Sequence, residues 1–348
     1  MRSWRRTAYR AVRPILFAAD AEAIHHLTLS ALALAGRSAP GRALCAVASG
    51  ASSGPAPIEL MGLRFRNRVG LAAGFDKDAV AIWGWGALGL GHAELGTVTA
   101  RPQAGSARPR LFRLTADEAL VNRMGFNNAG AEAVARRVAE ARHRLPDGFI
   151  VGVSIGRNRE TPDERAIDDY VHAAGAVAPV ADYLAINVSS PNTAGLRDLQ
   201  RADRIASLVN AVAGACGGRP VVVKLSPDLD DLEFEELVDA IAASGARGLI
   251  LNNTSVRREG LRSLSFPVDG GLSGRPILRR TLDRVARARD RAGQRLTILA
   301  SGGIGSAEDA VAALDAGADL VQLWTGLVYA GPGLIGESVL ATQSRGGV

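Results

Sequence analysis

The sequence of 348 residues contains 47 % hydrophobic and 22 % charged residues, a balance that excludes disordered and collagen-like chains. The net charge is +6, but residues 1–42 hold seven arginines against two acidic residues and so carry +5 of it. The remainder is nearly neutral and has no nucleic-acid-binding motif, so we expect no nucleic acid partner.

The first 42 residues have the pattern of an amphipathic arm. Apolar residues alternate with arginines from Trp4 to Phe17, and a second apolar stretch follows Asp20 between Ile24 and Leu34. This pattern predicts two short helices that lie in a membrane interface, with an anionic lipid surface as partner. A helical hairpin packed on the following domain, or a targeting peptide, would have the same pattern. No apolar run reaches the roughly 18 residues of a membrane-spanning helix.

Residues 43–348 are predicted to form one catalytic domain, in which short β-branched runs alternate with helical patterns. The predicted strands are 69–74, 92–98, 149–155, 183–189, 221–225, 248–253, 297–301 and 320–324. The predicted helices between them include 129–144, 163–178, 201–216, 232–244, 275–292 and 307–316. Eight such units predict a (β/α)8 TIM barrel, preceded by the two-helix amphipathic extension.

In a (β/α)8 barrel the active site lies at the carboxyl ends of the strands, and here these ends carry amides, hydroxyls and two lysines. Lys77 and Lys224 are the two lysines among 41 basic residues, which suggests sites that need a compact ammonium group. The alternative is that the two lysines occur at these positions by chance and have no functional role. The strand ends contain no histidine, and Asp76 is their one carboxylate. This set of residues argues against a Ser-His-Asp triad and against hydrolysis by paired carboxylates.

Two glycine turns follow the last two strands, at Gly302-Gly303 and Thr325-Gly326. Barrels commonly bind phosphate at this position through backbone N–H groups, so we expect a ligand that carries phosphate. No metal is expected, because Cys45 and Cys216 do not lie in a metal-ligand spacing and are too few for a disulfide framework.

Five motifs in chain order resemble those of the dihydroorotate dehydrogenase family, and the similarity extends over nearly the whole chain. They are 70–77 (GLAAGFDK), 122–128 (NRMGFNN), 187–193 (NVSSPNT), 270–276 (GGLSGRP) and 301–304 (SGGI). The combination of Ser190 and the arm resembles the membrane-associated, quinone-reducing class of this family. The soluble class has a cysteine as its catalytic base.

The resemblance implies FMN at the barrel mouth with dihydroorotate on its face. A hydride would pass from C6 of the substrate to N5 of the flavin while Ser190, as catalytic base, removes the C5 proton, with Thr193 and Phe126 as its neighbours. The implied FMN-binding residues are Ala73, Gly74, Lys77, Thr97, Ser154, Asn187, Lys224, Asn252, Gly274, Gly303, Trp324 and Thr325. The implied substrate-binding residues are Lys77, Asn122, Arg123, Met124, Gly125, Phe126, Asn187, Asn192, Asn253 and Thr254.

Three of these residues depart from the usual family pattern. Ser154, Asn252 and Trp324 stand where asparagine, threonine and tyrosine are usual, and each is expected on the flavin side. Ser and Asn can still donate hydrogen bonds, and Trp324 can offer its backbone N–H group to phosphate. The resemblance therefore still implies FMN, but it does not decide whether these three residues bind it.

The resemblance also implies that a membrane quinone reoxidises the flavin, with orotate as the product for pyrimidine (UMP) biosynthesis. His25, Arg64 and the apolar face of the first helix are candidate quinone-lining residues. The expected location is the cytoplasmic face of a cell inner membrane, as a peripheral protein without an obligate protein partner. Two other functions would fit the barrel pattern: a sugar-phosphate isomerase or lyase, and a non-catalytic flavin- or nucleotide-binding module.

Overall fold

A computed structural model describes residues 4–51, 57–192, 199–263, 265, 267 and 269–343. The helices are α1 Trp4–Ala18, α2 Ala21–Arg37, α3 Ala39–Ser49, α4 Ile82–Ala87, α5 Ala131–Arg142, α6 Ala166–Val177, α7 Ala202–Ala215, α8 Asp231–Ala243, α9 Leu278–Ala292, α10 Ala307–Asp315, α11 Thr325–Ala330 and α12 Gly333–Thr342. The strands are β1 Ile58–Leu60, β2 Leu63–Phe65, β3 Val69–Leu71, β4 His92–Val98, β5 Leu111–Leu114, β6 Ala119–Asn122, β7 Ile150–Ile155, β8 Tyr183–Asn187, β9 Val221–Lys224, β10 Gly248–Leu251, β11 Gly271–Gly274, β12 Thr297–Ser301 and β13 Leu320–Leu323.

Eight parallel strands close into a barrel in the order β3, β4, β7, β8, β9, β10, β12, β13, and β13 pairs again with β3. Nearly every residue of these strands is buried, because helices cover the outside and side chains fill the inside. The predicted (β/α)8 class and all eight predicted strands are confirmed, and the six predicted helices agree to within three residues at each end.

Two small antiparallel sheets were not predicted. Strands β1 and β2 form a hairpin that closes the base of the barrel, where the fully buried Phe65 packs against Ile150 and Tyr183. Arg64 lies on this hairpin, at the end of the barrel opposite to the strand termini that carry the predicted site. Its prediction as a quinone-lining residue is therefore wrong. Strands β5, β6 and β11 form the second sheet.

The arm contains three helices, one more than the sequence pattern predicted. The side chain of Ser38 accepts a hydrogen bond from Gly41 N at 3.1 Å and so starts α3 beyond the end of α2. The predicted domain boundary at residue 42 falls inside α3, which ends at Ser49. The arm as a structural unit therefore extends past the predicted boundary.

One side of the arm packs on the barrel. Glu22 of α2 is 4 % exposed and accepts hydrogen bonds from the guanidinium of Arg110, the shortest at 2.8 Å. In α1, the Tyr9 hydroxyl donates to the carbonyl of Val328 at 2.7 Å. Gly36 of α2 packs so closely that a Cβ there would lie 2.7 Å from the backbone nitrogen of Gly84.

The other side of the arm exposes a run of large apolar side chains on all three helices. They are Trp4, Val12, Ile15, Leu27, Leu34, Leu44 and Val47. The arm is thus helical as predicted, and it combines contacts to the barrel with exposed apolar side chains. Within the described part of the chain, no helix has the length and hydropathy needed to cross a bilayer.

Candidate active site

A cavity of about 1110 Å³, including space open to solvent, lies at the mouth of the barrel where the strands end. It brings together nearly all the residues that the sequence predicted for the site. Those that line it are Ala73, Gly74, Lys77, Thr97, Asn122, Met124, Gly125, Phe126, Asn187, Ser190, Asn192, Lys224, Asn252, Asn253, Thr254, Gly274, Gly303, Trp324 and Thr325.

Two predicted residues do not line the cavity. Ser154 is fully buried behind Thr97, and their hydroxyl oxygens are 2.9 Å apart. The Arg123 guanidinium donates to Asp269 at 2.8 Å and to the carbonyl of Pro109, so it points along the surface. Thr193, the predicted neighbour of Ser190, lies outside the described residues.

The two adjacent serines after β8 have different surroundings. Ser189 is fully buried. Its hydroxyl donates a hydrogen bond to Asn187 Oδ1 at 3.2 Å and accepts one from Asn253 Nδ2 at 2.9 Å. Ser190 lines the cavity, and its oxygen accepts a hydrogen bond from Asn192 N at 3.3 Å. Of the two serines, Ser190 is therefore the one that faces the cavity, while Ser189 holds the surrounding amides.

The cavity asparagines belong to two hydrogen-bonded groups, and these bonds fix the orientation of their amides. Asn187 Nδ2 donates to Thr97 Oγ1 at 2.8 Å, and Asn187 Oδ1 accepts from Asn253 Nδ2 at 3.2 Å. Across the cavity, Asn192 Nδ2 donates to Asn122 Oδ1 at 3.3 Å. Side chains held in this way present donors and acceptors at set positions, as recognition of a ring with alternating carbonyl and N–H groups requires.

Lys77 is the ammonium group on the β3 side of the cavity. Burial, together with the positive charge of Arg110, lowers the pKa of Lys77 to about 8, although Asp78 and Glu22 oppose this shift. Asp76, the one carboxylate at the strand ends, does not reach the ligand space. Its two oxygens accept from the backbone N–H groups of Val80 and Ala81 at 2.8 Å, so it organises the turn before α4.

The turn Gly302-Gly303 after β12 lines the cavity and requires glycine for close packing. Both glycines have positive φ values, 117° and 83°. A Cβ at Gly303 would lie 2.4 Å from Leu278 Cα, so this close approach requires glycine. Both glycines line the cavity, and a glycine turn after this strand is a common place for phosphate to bind backbone N–H groups.

The arm contributes one side of the cavity through His25 of α2, a predicted quinone-lining residue. The imidazole stacks on the Trp324 indole, with ring centroids 6.0 Å apart and planes 5° apart, and contacts the Phe75 ring at 5.1 Å. Burial and the nearby Lys77 charge lower the pKa of His25 to about 3, so the ring is neutral at physiological pH. The Trp324 side chain thus lines the cavity where the cavity meets the arm.

Sequence reasoning missed several residues in and behind the cavity wall, including Ile277 and Gln322. Leu111, Leu120 and Ser273 line it from the unpredicted sheet of β5, β6 and β11. Inside the barrel, the fully buried Glu94 lies behind Lys224. A carboxylate in the middle of the predicted buried strand 92–98 was the available signal for Glu94. No cluster of metal ligands occurs among the residues that the structure describes.

Comparison with known proteins gives the family of this barrel. The family model described as dihydroorotate dehydrogenase matches residues 56–339, which is most of the chain. The chain belongs to the dihydroorotate dehydrogenase family. It is similar to the dihydroorotate dehydrogenase (quinone) of Chloroflexus aurantiacus, with 47 % identity over 92 % of each chain.

Other dihydroorotate dehydrogenases show the same relationship. The dihydroorotate dehydrogenase (quinone) of Ralstonia nicotianae is 46 % identical over 96 % of this chain and 98 % of its own. The crystal structure of the Eimeria tenella dihydroorotate dehydrogenase in complex with ferulenol has a TM-score of 0.79 and 36 % identity, over 83 % of this chain and 84 % of that one. The similarity covers both the arm and the barrel, because more than nine tenths of the chain is aligned with the bacterial relatives.

Proposed function

We propose that this enzyme oxidises dihydroorotate to orotate with FMN as hydride acceptor and a membrane quinone as final electron acceptor, in pyrimidine biosynthesis. The observation that carries the proposal is the position of Ser190, which faces a cavity whose polar lining includes asparagine amides, hydroxyl groups and two lysines. Membership of a family whose relatives bear the name dihydroorotate dehydrogenase (quinone) supports the same substrate and acceptor.

The cavity residues fit FMN by their hydrogen-bonding chemistry. The buried Asn252 side-chain oxygen has no hydrogen-bond partner in the described chain, and an acceptor of this kind suits the flavin N3–H group. Lys224 supplies a positive donor for the flavin ring, while Gly303 and Thr325 supply the phosphate end. The bound FMN would accept the hydride from C6 of dihydroorotate.

The residues of the chain supply orientation and proton transfer. Asn122, Asn187, Asn192 and Asn253 hold the ring amides of the substrate, and Lys77 attracts its carboxylate. Ser190 takes the C5 proton, and the cavity walls exclude bulk water from it. Met124 and Phe126, both more than nine tenths buried, form the apolar part of that wall.

The arm is the proposed route for quinone. Its exposed apolar side chains would enter the interface of the membrane, and arginines at the rim would contact anionic headgroups. A lipid-soluble quinone could then reach the cavity beside His25 without leaving the apolar phase. We propose accordingly a peripheral protein, and we place it on the cytoplasmic face of an inner membrane without an obligate protein partner.

The visible absorbance of the purified protein tests the proposal. We expect a bound flavin spectrum that bleaches when dihydroorotate is added and returns with a quinone. A phosphate-binding isomerase or lyase would have no flavin chromophore. A non-catalytic flavin-binding module would have the chromophore but would not bleach, so one titration distinguishes all three functions.

Orotate binding should weaken as pH rises through the pKa of Lys77. The protonated ammonium attracts the orotate carboxylate, and this attraction is present below a pKa of about 8 and lost above it. Between pH 7 and pH 9 the dissociation constant should therefore rise about tenfold, as expected when only the protonated form binds well. Titration of the flavin spectrum with orotate measures it.

Lys77→Arg is the control for the pH effect, because arginine stays charged in this range. The variant should bind orotate more weakly, since the planar guanidinium is bulkier than an ammonium, but with nearly the same affinity at both pH values. Equal affinities of the unmodified enzyme at pH 7 and pH 9 would remove Lys77 from carboxylate binding.

Charged substitutions on the exposed face of the arm should reduce membrane binding. Ile15 and Leu34 are 74 % and 69 % exposed, so Ile15→Glu or Leu34→Glu should leave the fold intact. Each removes about 1.5–3 kcal/mol of apolar burial in the bilayer, which corresponds to roughly a tenfold or greater loss of partitioning. Sedimentation with vesicles containing an anionic phospholipid measures the loss.

Leu232→Glu is the matched control, because Leu232 is 68 % exposed but lies on α8 of the barrel. This variant should bind vesicles as the unmodified protein does. If the arm variants and the barrel variant bind equally well, the exposed face of the arm is not the membrane contact.

A further inference from the structure

Glu94 is a carboxylate buried inside the barrel, on β4. Its side chain is fully buried, and it is flanked in the strand by the apolar Ala93 and Leu95. An ionised group in such a place is costly unless it is paired and hydrogen-bonded. The contacts of Glu94 therefore indicate the role of its side chain.

The two oxygens of Glu94 face different partners. Oε2 accepts hydrogen bonds from the Tyr183 hydroxyl at 3.2 Å and from Gln322 Nε2 at 3.0 Å. Oε1 has no hydrogen-bond donor in the described chain, but it lies 3.6 Å from the ammonium nitrogen of Lys224. Tyr183 reaches the carboxylate because Gly152 has no side chain, and a Cβ there would lie 2.1 Å from the tyrosine ring.

These contacts place Glu94 behind the cavity. Lys224 and Gln322 line the cavity, whereas Glu94 and Tyr183 do not. Lys224 is itself 5 % exposed in its side chain, so the ion pair is screened from solvent. The carboxylate can act on a ligand in the cavity through the position and the net charge of Lys224.

We propose that Glu94 is a positioning residue that anchors the Lys224 ammonium in the cavity wall and would thereby lower the reduction potential of bound FMN. The proposal rests on the proposed function, since it requires FMN in the cavity. A lone ammonium beside the ring would favour the reduced flavin, which carries more negative charge. The Glu94 carboxylate offsets part of that charge, so the reduced flavin is held less tightly and passes its electrons to quinone more readily.

The test is the midpoint potential of the holoenzyme, measured by equilibration with a redox dye. Glu94→Gln keeps the shape of the side chain and removes its charge, so the flavin potential should become more positive. We expect a gain of at least tenfold in affinity for reduced over oxidised FMN, which equals about 30 mV for a two-electron couple. Glu94→Asp keeps the negative charge but places it farther from Lys224, because the aspartate side chain is shorter. The flavin potential should therefore shift in the same direction, but by less.

Tyr183→Phe is the matched control, because it removes a hydrogen bond from the same carboxylate without changing any charge at neutral pH. Its potential should stay close to that of the unmodified enzyme. If Glu94→Gln has an unchanged potential, or one shifted no further than Tyr183→Phe, Glu94 is structural and the proposal is wrong. If Glu94→Gln does not fold, Glu94→Asp decides by the same comparison with Tyr183→Phe.

Failure of this proposal can be distinguished from failure of the proposed function. An unmodified protein that carries no FMN, or whose FMN does not bleach with dihydroorotate, contradicts the function itself. An unmodified protein that bleaches normally, with a potential that does not respond to Glu94, contradicts the role of Glu94 alone.

Discussion

Ser190→Ala should retain FMN and lose between about 100-fold and 10,000-fold in the rate of flavin reduction by dihydroorotate. This range is the usual contribution of a positioned general base. Loss of the hydroxyl removes the proposed base for the C5 proton. The other walls of the cavity should stay in place, because among the described residues the Ser190 side chain accepts one hydrogen bond, from Asn192 N. Stopped-flow measurement of bleaching gives the rate directly.

Ser189→Ala is the informative comparison for this variant. Ser189 lies next in the chain, but its hydroxyl is bonded to Asn187 and Asn253. Its loss should weaken substrate binding through these amides and leave the maximal reduction rate much closer to normal. A Ser190→Ala enzyme that reduces its flavin at the unmodified rate would exclude Ser190 as the base.

Glu22→Ala should destabilise the protein by about 3 kcal/mol or more in the free energy of unfolding, the usual cost of removing one partner from a buried ion pair. Glu22 and Arg110 are 6 % and 7 % exposed in their side chains, and the pair joins α2 to the segment before β5. Burial opposes ionisation of Glu22, but the hydrogen bond and charge of Arg110 hold its pKa below the usual value. Denaturant unfolding measures the change.

The sign of the pH dependence follows from the lowered pKa. The stabilisation by Glu22 should be fully present above the usual pKa of a glutamate and should be lost as pH falls through its lowered pKa in the folded protein. The same variant should also lose quinone reduction more than dye reduction, because α2 carries His25 at the cavity.

Arg108→Ala tests whether burial of the pair matters. Arg108 also lies near Glu22, at 3.2 Å, but its side chain is 65 % exposed. Exposed pairs contribute roughly 0–1 kcal/mol, so this variant should unfold almost as the unmodified protein does. If Glu22→Ala is no less stable than Arg108→Ala, the buried pair does not hold the arm.

The sequence predicted the barrel well because its signals are local. Each barrel strand is a short apolar run followed by a polar or glycine-rich end, and each is covered by a helix, so strand 92–98 and its neighbours could be identified one at a time. The motif residues then fell at the mouth of the barrel because strand termini meet there.

The parts that were not predicted depend on contacts between distant segments. Strand β11 pairs with β6 across 149 residues between Asn122 and Gly271, and no local pattern encodes that pairing. The position of Arg64 at the barrel base likewise depends on the hairpin β1–β2, which packs against strand ends throughout the chain. Helix α3 was missed because its start is set by Ser38 immediately after α2.

The contacts of α1 have a consequence for the synthesis of the protein. Tyr9 donates to Val328, Arg13 to Tyr329 and Arg6 to Glu337, so these three anchors of the first helix lie in the last elements of the barrel. On the ribosome, α1 emerges long before α11 and α12 and has none of these anchors until those helices are made. Its apolar side chains are therefore free to meet a membrane or a chaperone before the barrel closes.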